Sequence, residues 1–408
     1  MQRQAVMVRV LAALAAVILA SPGGAGAQIL PTEPISLGDG RVVLGADVTA
    51  TFASSDPGFF NYTDYEYSAL RNVRVGISAE VRATSRFQLL GEIRMDHGDR
   101  LQPFALFARI RPWPARRFDI QVGRIPPTFG AFGRSAYGTA NLLIGTPLAY
   151  QYLTALRPDA LPATTGDLLR MRGRGWLANY PVGDTAPDRG LPVINSSRWD
   201  TGVQIHGVNG IVEWSGAVTT GSLSNPRVDD DNDGRQIAGR AVVRPTAALA
   251  LGASISRGAF LSRSLERVLP VARRAEDGVQ QALGVDAEFA HGRFLGRSEV
   301  LWSQWTLPVA LTGTADEALG ASAVLVEGRY RVFPGVQVAA RAERLGFSRL
   351  ATPAGLVSWD APVRRFEVGV GYSVVRNVTI KASWQRNLRD GGRILDDSLG
   401  AAQIVYWF

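Results

Sequence analysis

Three histidines, His97, His206 and His291, are the only imidazoles in the chain, and there is no cysteine. Thiolate chemistry is thereby excluded. The histidines lie far apart in sequence. No H-E-x-x-H, G-x-S-x-G or phosphate-loop motif accompanies them. A hydrolase built on a sheet wall needs serine and histidine on adjacent strands at one height, and His206 with Ser215 is the nearest pair. Asp229-Asp230-Asp231-Asn232-Asp233-Gly234 matches the opening of a calcium loop. Arg240 stands where the bidentate glutamate of an EF-hand would sit. Asp229, Asp231 and Asp233 are therefore candidates for weak Ca²⁺ binding, and the alternative is a solvated acidic hairpin tip. No other cofactor is implied. The catalytic reading is negative: the sequence does not describe an enzyme.

Charge is the remaining chemistry. The formal net charge of +8 comes almost entirely from arginine, because Lys381 is the only lysine. Nucleic-acid binding needs basic residues gathered on one segment. Here arginines and acids are interleaved along the chain, which argues against it.

Period-two alternation says what must position those charges. Val73, Val75, Ile77, Ala79 and Val81 form one apolar face, with Arg74, Gly76, Ser78, Glu80 and Arg82 opposite. The same pattern recurs from Phe87 to Asp96, from Arg365 to Val374 and from Val378 to Gln385. Such alternation marks strands with one apolar face. Sixteen strands are expected, beginning near Val42, Asn72, Arg86, Pro103, Arg117, Asp200, Gly210, Arg235, Ala248, Gln280, Gly292, Gly320, Val336, Arg364, Asn377 and Leu399. Many run about 10 residues, enough for a tilted strand to cross a bilayer core.

Tight turns at Thr84-Ser85, Pro112 to Arg116, Val208-Asn209, Pro245-Thr246, Ala290-His291, Phe333 to Gly335 and Val375-Arg376 alternate with long polar connections. That sorting is expected of an all-β, transmembrane antiparallel barrel with short periplasmic turns and long extracellular loops. In hydrocarbon every backbone amide must be hydrogen-bonded within the protein, so the sheet has to close. A sixteen-strand barrel is too wide for side chains to fill.

The amino end supports export. Arg3 and Arg9 flank an apolar run from Val10 to Ala20, and Ala25-Gly26-Ala27 precedes Gln28. This is the form of a cleaved signal peptide over residues 1–27, leaving residues 28–408 as the barrel. The chain ends on Phe408, which shares a face with Tyr406 and Ile404, as in the terminal-strand signal read by the barrel-assembly machinery. The expected location is the outer membrane, among its lipid and lipopolysaccharide.

The expected pore-lining set comprises Glu92, Arg94, Arg109, Arg111, Arg124, Glu299, Arg329 and Arg341 from the wall. Arg157, Arg170, Arg172 and Arg174 join it from the long third connection, residues 125–199. That connection is rich in aromatics and needs something to pack against. It either folds inward to narrow the lumen or packs over the mouth.

Phe118-Asp119-Ile120-Gln121-Val122-Gly123-Arg124-Ile125-Pro126-Pro127-Thr128-Phe129-Gly130 resembles the strand-then-PFG segment of phosphate-selective O/P-type porins. The stretches from Asp200 to Gly221 and from Asp229 to Arg240 are also similar. The resemblance implies a trimeric passive channel for small solutes. Phosphate-selective members carry lysine-rich loops, and this chain does not, so phosphate selectivity is not carried over.

Overall fold

A computed structural model describes residues 31–63, 67–97, 100–113, 115, 117–135, 137–309, 311–312, 318–353 and 355–408. The leader read in residues 1–27 lies outside them. The alternating segments form strands β1 (Val42–Ala53), β2 (Val73–Arg82), β3 (Phe87–Asp96), β4 (Gln102–Ile110), β5 (Phe118–Ile125), β6 (Asp200–Asn209), β7 (Val212–Thr219) and β8 (Gln236–Thr246). They continue as β9 (Leu249–Ala259), β10 (Val279–His291), β11 (Phe294–Thr306), β12 (Ala318–Phe333), β13 (Val336–Phe347), β14 (Val363–Val375), β15 (Val378–Arg389) and β16 (Asp396–Trp407). Every expected strand start falls within three residues of an observed one.

Each strand pairs antiparallel with its chain neighbours, and β1 closes the sheet on β16 from Asp47↔Trp407 to Ala53↔Ala401. A closed sheet leaves no open edge, and that meets the backbone requirement of a lipid environment. A three-residue strand, Ile35–Leu37, folds back on the start of β1. No helix among the described residues is long and apolar enough to cross a membrane.

Pleating explains the charge distribution. Ile77, Leu89, Val122, Ile205, Ile255, Trp302, Val326, Val368 and Trp384 are exposed on the outer face. Arg94, Glu299, Glu327, Arg341, Glu343, Arg365, Glu367 and Lys381 are buried on the inner face. A charge facing lipid at mid-depth costs about 2–4 kcal/mol, so the register is fixed by which face can be wet.

One end of the barrel carries two-residue turns such as Gly210–Ile211, Ala247–Ala248, Gly292–Arg293, Pro334–Gly335 and Arg376–Asn377. The other carries the long connections. Pro103 cannot donate to the ladder, and the pairing with β3 slips there, so Phe104 turns inward.

Candidate pore and its inner loop

The third long connection lies inside the barrel. Its aromatic and aliphatic residues Phe129, Phe132, Leu148, Tyr150, Leu156 and Tyr180 are buried in one cluster with wall residues Leu301, Trp305, Leu345 and Phe347 and with Trp359 from the connection before β14. An apolar core thus occupies part of what an empty barrel would leave as water.

Charged side chains of the wall hold this segment through its backbone. The Gly145 and Leu148 amides donate to Glu367 (2.9 Å) and Glu343 (2.6 Å). Arg341 donates to Glu327 (3.0 Å), to the Gly145 carbonyl (2.7 Å) and to the Asn141 side chain (2.9 Å). Lys381 Nζ donates to the carbonyls of Gly138 (2.6 Å) and Asn141 (2.7 Å). Arg365 reaches the Thr146 carbonyl (3.0 Å) and, in the first long connection, that of Phe60 (3.0 Å). Buried charges require partners, and loop peptide groups supply them here.

Two more carboxylates anchor the loop. Glu299 accepts from Ala131 N (2.8 Å) and Tyr150 Oη (2.8 Å). Burial, reinforced by the adjacent Glu299 charge, pushes the Tyr150 hydroxyl well above its usual range, so it stays protonated and donates. Asp360, just before β14, is fully enclosed. It accepts from Ala155 N, Gly173 N and Ala361 N at 2.7 Å each. Burial pushes its carboxyl up to about 6, against those three donors and the charge of Arg389.

Two cavities flank the loop. Toward the short-turn end, about 280 Å³ is lined by Phe132, Arg240, Asp286, Glu288, Arg297 and Glu299 among others. Toward the long-connection end, about 220 Å³ is lined by Arg74, Tyr150, Gln151, Arg189, Asn195 and Arg198 among others. Tyr150 borders the second cavity and bonds to Glu299, which borders the first. The phenol stands between them. In the inner cavity both signs of charge are present and paired, with Arg240–Asp286 at 2.6 Å and Arg297–Glu288 at 2.8 Å.

The expected pore residues are distributed unequally. Glu92 and Arg94 form an ion pair (2.8 Å) on the inner wall, where Tyr137 of the loop donates to Glu92 (2.7 Å). The Arg94 guanidinium lies 3.3 Å over the Phe104 ring. Arg109 faces inward beside Gln121, Arg111 is half-buried just past the end of β4, and Arg329 is half-buried on β12. Glu299 and Arg341 are inside but enclosed by the loop.

Two residues depart from expectation. Arg124 shares its face with Ile120 and Val122, hence the outer one, and donates to the carbonyls of Trp199 (3.1 Å) and Pro103. Arg157 is enclosed within the loop, bidentate to Asp159 (3.0 Å each) and bonded to the carbonyls of Ala178 and Ala186, so it faces no solute. Arg170 and Arg174 are exposed, and Arg172 donates to the carbonyl of Asp390, beyond the end of β15. That contact places this segment at the barrel mouth.

The acidic hexad is also resolved differently. Asp230 pairs with Arg235 (2.6 Å), Asp233 with Arg263 (2.5 Å) and Asp231 with Arg227, while Asp229 is exposed. Guanidinium groups occupy the oxygens that a cation would need. No group of three metal-ligating side chains converges among the described residues. The register does bring Asp119, His206 and Ser215 side by side on adjacent strands. However, His206 Nε2 points to Glu213 (3.3 Å), and its Nδ1 lies 3.8 Å from Asp119. Ile404 is exposed on the outer face of β16, and Tyr406 and Phe408 are half-buried at its end.

The anchoring role of Glu343, Arg365, Glu367 and Lys381 leaves no signal in the sequence, where each is only one inward position of an alternating strand. Asp360 and the Tyr150 partition leave no sequence signal, since Ala155, Gly173 and Glu299, to which they bond, lie more than a hundred residues from them.

These features define a closed sixteen-strand antiparallel barrel with an inward-folded third connection, the fold of bacterial outer-membrane porins. No protein-family model matches the chain, and no curated protein matches it. Solved structures do. The anion-selective porin from Comamonas acidovorans aligns over 90% of this chain and 99% of its own, with TM-score 0.54 and 8% identity. The trimer form of OmpT, an outer membrane protein of Vibrio cholerae, aligns over the same shares, with TM-score 0.52 and 11% identity. The outer membrane channel DcaP of Acinetobacter baumannii aligns over 92% of this chain and 100% of its own, with TM-score 0.50 and 9% identity. At such identities the likeness is one of fold.

Proposed function

We propose that this chain is an outer-membrane channel through which small hydrophilic solutes and ions diffuse passively, with the third connection narrowing its lumen. The observation that carries the reading is the loop itself. A segment clamped to the inner wall by Glu299, Arg341, Glu343, Glu367 and Lys381 lies within the barrel, with charged cavities of about 280 and 220 Å³ beside it. Paired opposite charges in the inner cavity favour polar solutes of either sign over one ion class. The O/P-type resemblance is kept for architecture alone, because the single lysine is committed to loop carbonyls. Cleavage near Gln28, short turns toward the periplasm, recognition of the Phe408 end by the assembly machinery and a homotrimeric assembly complete the reading. The trimer form of the Vibrio structure supports the last of these.

A second reading is a barrel occluded by its loop that acts as a substrate-specific uptake or binding protein. The apolar cluster inside the barrel favours it. Single-channel recording in planar bilayers separates the two. A steady ohmic current from the wild-type chain supports the open channel. Its absence, with current appearing once residues 131–150 are excised, supports occlusion.

A further inference from the structure

Most strand arginines point inward, but two adjacent ones do not. Arg344 on β13 lies directly opposite Arg364 on β14, and both are exposed on the outer face. Like charges placed directly across a strand pair repel. Neither guanidinium has a hydrogen-bond or ion-pair partner among the described residues. The neighbouring outward arginine, Arg386 on β15, is offset by Asp396 at 2.6 Å.

Position along the strands adds to this. Both arginines sit at the long-connection end, and the outer face of β14 continues below Arg364 as Phe366, Val368, Val370 and Tyr372, all exposed. That column reads as the apolar band of a membrane wall, with Arg344 and Arg364 at its upper boundary, where an arginine is tolerated at little cost. Beneath Arg344 the outer residues of β13 are Ala342 and Ala340. Ala342 is flanked by Val326 on β12 and Phe366 on β14, and Ala340 by Gly328 on β12 and Val368 on β14. The small residues Ala342, Ala340 and Gly328, bounded by Val326 on one side and by Phe366 and Val368 on the other, leave a shallow trough running down from the two guanidiniums.

We propose that Arg344 and Arg364 form a docking site on the outer wall for the phosphorylated headgroup of an anionic lipid, whose acyl chain lies along the Ala342–Ala340 trough. The paired guanidiniums match a phosphate's charge and its several acceptor oxygens. The trough supplies the apolar half of the same molecule's footprint. The site rests on the reading of the barrel as a membrane wall.

The test uses the full chain in phosphatidylcholine nanodiscs doped with a bis-phosphorylated, acylated glucosamine lipid, or with the same lipid stripped of phosphate. Native mass spectrometry after release counts the doped lipids that stay bound. Wild type retains the phosphorylated lipid selectively. Retention falls about fivefold per arginine and about thirtyfold in R344Q/R364Q, taking the usual contribution of a basic residue near a charged membrane surface. R344K/R364K keeps most of the retention, and R386Q behaves as wild type. Equal retention by R344Q/R364Q, equal retention of the phosphate-free lipid, or displacement by inorganic phosphate overturns the site while leaving the barrel reading intact. Failure of the wild-type chain to enter nanodiscs at all removes both.

Discussion

Acidification should tighten the third connection against the barrel, through Asp360. This carboxyl takes three amide donors, two of them from the inner loop, and is wholly enclosed. Its pKa rises from 3.8 to about 6 because burial penalises the charge more than the amides and Arg389 favour it. The folded loop therefore holds a proton more tightly than the opened loop. The stabilising contribution is complete below pH 3.8 and is lost as pH rises through about 6. The difference, 6 − 3.8 = 2.2, corresponds to about 3 kcal/mol, or about 150-fold in the opening equilibrium. The nearby hydroxyls of Tyr152 and Tyr180 are themselves raised by burial and stay neutral in this range. Hydrogen exchange at the Ala155 and Gly173 amides, corrected for intrinsic pH dependence, reads the equilibrium directly. Protection of both should grow between pH 7 and pH 4. In D360N the trend should vanish, and one amide should lose its acceptor at about 1–3 kcal/mol. Flat protection in wild type, or an unchanged trend in D360N, would refute the reasoning.

Replacing Tyr150 by Ala removes the phenol between the two cavities, so single-channel conductance should rise, whereas Y150F, which keeps the ring, should stay close to wild type. Arg341→Met leaves Glu327, Glu343 and Glu367 without their shared guanidinium and should cost about 3–5 kcal/mol. The measured signs would be new protease cleavage within residues 131–150 and amine-reagent labelling of Lys381, which is enclosed in wild type, while the heat-modifiable gel shift of the barrel persists. Gly123 has φ +128°, and an added Cβ would sit 2.4 Å from the Leu106 carbonyl oxygen. G123A should therefore lower the unfolding free energy read from denaturant melts by about 1–3 kcal/mol, and G210A, with open space around a φ of +56°, by less.

The barrel was legible in the chain because its determinants are local. Alternation along Val73–Arg82 or Val363–Val375 depends only on which face meets lipid, and strand ends are marked by turn residues such as Gly210, Gly292 and Gly335. Closure follows from the unsatisfied edges that an open sheet would leave in hydrocarbon. Charge alone misassigned Arg124 to the lumen, whereas the alternation through Ile120 and Val122 sends it outward. Likewise the Asp229–Asp233 run suggested a cation, but Arg227, Arg235 and Arg263 arrive from outside the motif to occupy it.

What the inner loop does was decided only in three dimensions. Lys381 and Glu367 look from sequence like any inward charges. They become clamps because closure of the barrel brings residues 138–145 against them from more than two hundred positions away. Aromatic content alone predicted that the loop would pack, not where. A strand's faces are set by its own alternation, whereas a buried charge takes its role from whichever distant peptide group or side chain the folded chain delivers to it.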